Sequence, residues 1–216
     1  YLHRLADLEP DFQAHLYDLA YAYDKKGDHK TSIRYYTMYL DEDPYSDSAW
    51  YNLGIIYNKT GDYGKAIEAY DFALALNPEN TFALFNKANI LSNLEKYSEA
   101  MDVYRAFVEE EPDSLEGLTY LAECYDKTGD EAMARKYYTE AIDITPDFPD
   151  PWYGLGLLSL TRNRPAESIS PLKKAIELDH ENPDYWFSLG KAYIMLGNIK
   201  EAVRCWVESI MLDGYY

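Results

Sequence analysis

The sequence predicts an all-α chain, an α-solenoid of antiparallel helix pairs, and three observations predict it. Motifs recur every 34 residues without insertion, each period carries two small residues at fixed places, and a turn signal separates two helical patterns within each period. Asp47-Ser48-Ala49-Trp50-Tyr51-Asn52-Leu53-Gly54 sets the phase, because Pro183-Asp184-Tyr185-Trp186-Phe187-Ser188-Leu189-Gly190 repeats its pattern four periods later. The windows are then 13–46, 47–80, 81–114, 115–148, 149–182 and 183–216, with residues 1–12 ahead of them.

The same few places justify every unit. The eighth is always small (Ala20, Gly54, Ala88, Ala122, Gly156, Gly190), and so is the twentieth (Ser32, Ala66, Ala100, Ala134, Ser168, Ala202), which lets two helices approach closely. The seventh is Leu in five windows (Leu19, Leu53, Leu121, Leu155, Leu189) and the eleventh is Tyr in four (Tyr23, Tyr57, Tyr125, Tyr193). The twenty-fourth is large throughout: Tyr36, Tyr70, Tyr104, Tyr138, Leu172 and Trp206. Spacings of three and four make an apolar helix face.

In chain order, Leu2, Leu5, Ala6, Leu8 and Pro10 read as the end of a second helix from an earlier unit, so residues 1–12 are expected to be a half-unit cut from a longer array. The first two windows carry Lys25-Lys26-Gly27-Asp28 and Lys59-Thr60-Gly61-Asp62 between their halves, where Gly ends one helix in the left-handed conformation and Asp caps the next. The third has Asn93-Leu94-Glu95-Lys96 instead, and Lys87 at the Leu place, its stem laid on apolar surface. The fourth returns to Lys127-Thr128-Gly129-Asp130. The fifth departs most, with Ser159, Leu172 and His180 off pattern and Pro171 inside its second helix, as either a kink or the end of an irregular first turn begun at Pro165. The sixth turns at Met195-Leu196-Gly197-Asn198 and ends on a helix carrying Val203, Trp206, Val207, Ile210, Met211 and Leu212, an edge expected to be covered by further chain or another molecule. Pro44, Pro78, Pro112 and Pro146 end the first four units.

The pattern Trp-x2-Leu-Gly-x2-Tyr followed by Ala, an aromatic, Ala and Pro resembles the tetratricopeptide repeat, and window 47–80 carries it whole as Trp50, Leu53, Gly54, Tyr57, Ala66, Tyr70, Ala73 and Pro78. The resemblance implies six consecutive units wound as a right-handed superhelix, whose first helices line a concave groove for a peptide.

The composition excludes several classes. Against 20 Lys and Arg stand 38 Asp and Glu, a net charge of −18, which argues against duplex nucleic acid. Hydrophobic residues at 47% and aromatic residues at 16% are too many for a disordered acidic tail. No apolar run approaches a membrane span, and no signal peptide opens the chain. Cys124 and Cys205 share no metal or CxxC spacing, and unpaired burial in a reducing, cytoplasmic setting is the expectation. His3, His15, His29 and His180 are scattered, and Gly154-Leu155-Gly156 lies mid-helix without the third Gly of a phosphate loop. No catalytic residue, metal or cofactor is expected.

The candidate partner-binding residues follow from the resemblance. The fifth place holds Tyr17, Tyr51, Phe85, Thr119, Tyr153 and Phe187, an aromatic row broken at Thr119, with Asn52, Asn86 and Asn89 beside it. Tyr21, Ile55, Tyr120, Glu123 and Lys191 complete the set. Aromatic faces give large contact area and carboxamides pair with an extended backbone, but the same residues also serve stacking between units. Glu116, Glu123, Asp126, Asp150 and Asp184 are expected around the later half of the row, either steering a neutral to basic partner or merely solubilising the face. A carboxylate clamp is not expected, because its places hold Tyr17, Tyr21, Asn52, Phe82 and Asn86 without a cation. The leading expectation is a non-catalytic protein-interaction scaffold. The alternatives are the substrate-recruiting region of a larger enzyme, such as a glycosyltransferase, and self-association through exposed terminal units.

Overall fold

A computed structural model describes residues 12–214, with side chains from His15 onward. The reading of Leu2, Leu5, Ala6, Leu8 and Pro10 lies outside these residues. Among the described residues there are twelve α-helices and no strand, and the chain divides between Glu110 and Glu111 into two compact units. The first holds α1 (Phe12–Lys25), α2 (His29–Glu42), α3 (Asp47–Lys59), α4 (Tyr63–Leu76), α5 (Thr81–Asn93) and α6 (Tyr97–Glu110). The second holds α7 (Leu115–Thr128), α8 (Glu131–Ile144), α9 (Pro149–Thr161), α10 (Pro165–Leu178), α11 (Pro183–Met195) and α12 (Ile199–Leu212).

Within each pair the small eighth-place residue lies under the large twenty-fourth. A Cβ on Gly54 would come within 2.6 Å of the Tyr70 ring, and one on Gly156 within 2.6 Å of Leu172. Tyr36, Tyr70, Tyr104, Tyr138 and Leu172 are all buried there, and burying side chains of this size contributes on the order of 2 kcal/mol each. Where the twentieth place is Ser32, its hydroxyl donates to the Ala20 carbonyl at 2.5 Å, so the polar atom inside the pair is satisfied. Gly154 belongs to the same logic, since its missing Cβ makes room for the buried Tyr138 ring. Both glycines that superficially suggest a phosphate loop are thus packing residues in mid-helix.

One turn recurs between paired helices. Gly27, Gly61, Gly129 and Gly197 have positive φ, and Glu95 (φ 58°) and Asn163 (φ 57°) take the same conformation where Gly is missing. In each case the following residue's N–H donates five residues back, as from Lys96 to the Leu91 carbonyl and from Asp130 to the Tyr125 carbonyl, both at 2.9 Å. That backbone geometry ends a helix and reverses the chain. Side chains then cap the next helix: Asp28, Asp130 and Asn198 accept from Thr31, Met133 and Glu201 N–H.

Between pairs, the Trp of the motif closes the loop. Trp50, Trp152 and Trp186 donate Nε1–H to the carbonyls of Pro44, Pro146 and His180 at 2.9–3.0 Å. His180 therefore supplies the same acceptor as the prolines it replaces. Of the two readings of Pro171, the irregular first turn is not found: α10 runs from Pro165 through Pro171 to Leu178 as one helix of 14 residues. Lys87 does more than lay down a stem, since its Nζ reaches Asp71 Oδ1 on α4 at 2.5 Å.

Candidate functional site

In the first unit the fifth-place rings of α1, α3 and α5 are anchored from below and from the side. Tyr17 packs edge-on against Tyr36 with centroids 5.5 Å apart, Tyr51 lies 6.0 Å from Tyr70, and Phe85 lies 6.3 Å from Tyr104. Laterally, Asn52 Nδ2 donates to the Tyr17 hydroxyl at 2.7 Å and Asn86 Nδ2 to the Tyr51 hydroxyl at 3.3 Å. Each carboxamide therefore locks the ring of the preceding repeat with one N–H. Burial raises the pKa of both phenols, while the amide hydrogen bonds pull the other way.

The rings remain half-exposed, and Phe82, 72% exposed, stands 6.4 Å from Tyr51. Tyr21 is exposed with the Lys25 ammonium 4.9 Å from its ring centroid, and Ile55 is half-buried. Asn89 is committed inward: the buried Tyr104 hydroxyl donates to its Oδ1 at 2.5 Å.

In the second unit, α7, α9 and α11 present a different face. Thr119 is buried and its hydroxyl donates to the Leu115 carbonyl at 2.7 Å, so the break in the aromatic row is a satisfied core threonine. The Tyr153 ring lies tilted against Tyr185, centroids 4.7 Å apart, and its hydroxyl shares a 3.2 Å hydrogen bond with Ser188, the counterpart of the Tyr–Asn links in the first unit. Tyr120, Phe187 and Lys191 are exposed.

The five acidic residues are not one surface. Asp126 turns to Arg162, with Nη2 to Oδ1 at 3.1 Å, in a network where Arg162 and Arg164 both meet Glu131. Asp150 accepts from the buried Tyr185 hydroxyl at 2.7 Å. Glu116 and Asp184 are exposed. Water reaches Glu123, which is also exposed by surface area, yet it stands recessed among protein atoms. That desolvation, against the relief given by Lys127 and with Asp150 and Asp126 adding to it, pushes its carboxyl up to about 7. Glu123, Asp150 and Glu116 still bear on the Tyr120 ring, and Asp184 and Glu123 on Tyr153, so of the five only Asp126 is drawn away, to Arg162. The period carries no signal for the Arg162 and Arg164 network, because those arginines occur in one window alone; Phe82, an apolar residue at an outward place, is legible once the helix face is drawn.

Among the described residues, no group of three or more His, Cys, Asp or Glu could hold a metal ion, and no helix is long and apolar enough to cross a membrane. A tetratricopeptide repeat profile matches residues 1–47 and 85–149, more than half of the sequence. The chain belongs to the tetratricopeptide repeat family. Further tetratricopeptide profiles match residues 48–80, 162–197 and 183–216. No curated protein sequence matches the chain.

Solved tetratricopeptide structures resemble it closely in fold. One from Parabacteroides merdae matches with a TM-score of 0.82 at 19% identity, over 92% of this chain and 78% of that one. PilW, described as a widely conserved type IV pilus biogenesis factor, gives 0.75 at 20% identity over 95% of each chain. YrrB, described as a TPR protein with an unusual peptide-binding site, gives 0.63 at 18% identity over 84% of this chain and 93% of that one. At such identities the likeness is one of fold.

Proposed function

We propose that this tetratricopeptide chain is a non-catalytic protein-interaction scaffold of six repeats that captures a peptide segment on the face of α1, α3 and α5. The observation that carries the reading is the anchoring of Tyr17 and Tyr51. Each is a half-exposed ring held from below by a buried tyrosine and from the side by an asparagine of the next repeat. Rings fixed before binding lose little entropy on contact, which is the property of residues that dominate peptide affinity. Phe82 and Phe85 extend the surface, and the peptide-binding site named for YrrB supports the same use of the fold. The partner is an apolar segment of neutral to basic charge, because residues 13–114, the repeats that carry this face, hold 18 acidic against 9 basic residues.

Selection from a random peptide display library tests the proposal. Enriched peptides should bind in the micromolar range, about −8 kcal/mol. Phe82→Ser together with Tyr21→Ser should weaken them about tenfold or more with helicity unchanged, since both residues are exposed. Peptides that bind the double variant as well as the parent would move the site elsewhere.

A further inference from the structure

Two apolar residues of α12, Val207 and Met211, do not follow the register of the other second helices, whereas Val203 does, its place holding Ile33, Ile67, Met101 and Ile169 in four of the five. The outer ridge of α12 is Ile199, Val203, Val207 and Met211, spaced four apart and 65, 51, 45 and 56% exposed. In the other five second helices the places of Val207 and Met211 are exposed as well, and every one except Ala75 is polar or charged, as with Arg105 and Glu109 in α6 or Lys173 and Glu177 in α10. The next repeat covers α10, and likewise α2, α4 and α8, on another side and leaves these places in water. Repeat stacking therefore gives no reason for Val207 and Met211 to be apolar. An exposed apolar ridge of this kind marks an interaction surface.

We propose that the ridge is a dimer interface, occupied by α12 of a second copy of this chain lying antiparallel. Charge argues for the second copy and for its direction. Lys200 and Arg204 outweigh Glu201 in the N-terminal half of α12, leaving it one net positive charge, while Glu208 and Asp213 make its C-terminal half and cap negative. Arg204 is free to reach outward, its side chain 72% exposed and its approach to Glu201 no closer than 3.8 Å. An antiparallel two-fold sets each basic half against an acidic half twice over, whereas a parallel pair would place like charges together. Two chains of net charge −18 repel over most of their surface, but residues 183–216 hold four acidic against three basic residues. Copies meet there with little repulsion. The inference is independent of the peptide-binding face.

Analytical ultracentrifugation of the whole chain over roughly 1–200 µM, the range of moderate dimers, decides it. The parent is expected to pass from monomer to dimer. Val207→Lys with Met211→Glu installs the residues that α10 carries at the same places, so helicity, and the thermal midpoint read where the parent is monomeric, should be unchanged while the dimer dissociation constant rises about tenfold or more. Arg204→Glu should weaken the dimer, and Arg204→Glu with Glu208→Arg should restore it. A parent that stays monomeric, or a Val207→Lys, Met211→Glu variant that dimerises like the parent, would overturn the proposal. So would a charge exchange that fails to restore what Arg204→Glu removes.

Discussion

Tyr70 and Tyr104 occupy the same place in successive repeats and meet different neighbours. Tyr104 donates to Asn89, but the place of Asn89 is filled by Ile55 one repeat earlier, and the buried Tyr70 hydroxyl has no hydrogen-bond partner among the described residues. An unpaired buried hydroxyl costs on the order of 1–3 kcal/mol. Tyr70→Phe should therefore stabilise the chain by about 1 kcal/mol, while Tyr104→Phe should cost about 1 kcal/mol, both read from urea unfolding. Glu123 gives a pH test at the same scale. Its folded pKa of about 7 lies above the ordinary 4.5, so folding binds a proton, and the stability so gained is complete below 4.5 and lost as pH rises through 7. Glu123→Gln stays neutral, and its stability relative to the parent should be larger at pH 8 than at pH 5. An equal difference at both values would show that Glu123 titrates normally.

At the scale of the element, the turn explains which helices are strained. Left-handed backbone costs a residue with a Cβ about 1–2 kcal/mol, and Glu95 is held there by the same five-back hydrogen bond that glycine turns use. Glu95→Gly should stabilise by about 1 kcal/mol, whereas Asn163→Gly should gain less because asparagine tolerates the conformation. Thermal midpoints of the two variants check the order. In α10, Pro171 leaves the Glu167 carbonyl without its helical N–H partner, and Pro171→Ala should raise stability by up to about 3 kcal/mol. The register made these elements legible in advance: paired small places, turn signals and loop tryptophans all recur. The continuity of α10 was not legible, because a proline cost is local and α9 and α11 both pack against this helix.

For the whole molecule, stability is a sum of neighbouring contacts, and damage in one place need not spread. Gly156→Ala forces a Cβ against Leu172 and should cost about 1–3 kcal/mol. Native-state hydrogen exchange should then show lost protection in α9 and α10 with α1 to α4 unchanged. A uniform loss in both compact units would mean that the chain unfolds all at once. Removing residues 183–216 should likewise lower helicity in proportion, not abolish it.

The sequence by itself determined the helix pairs, their turns and the residues that face each other inside a pair, because a 34-residue period repeats those local relations and close approach admits only Gly, Ala or Ser. It also put Tyr17, Tyr51, Phe85 and Tyr153 at the same place of their repeats, a row in the register of the sequence. Tertiary structure alone decided what the polar members of that row do. Asn52 and Asn86 each give one N–H to a neighbouring tyrosine, Asn89 serves the core, and Asp126 leaves for Arg162. The physical reason is that hydrogen bonds and ion pairs depend on which side chains the next repeat brings within about 3 Å, and a period fixes a residue's place without fixing its partner.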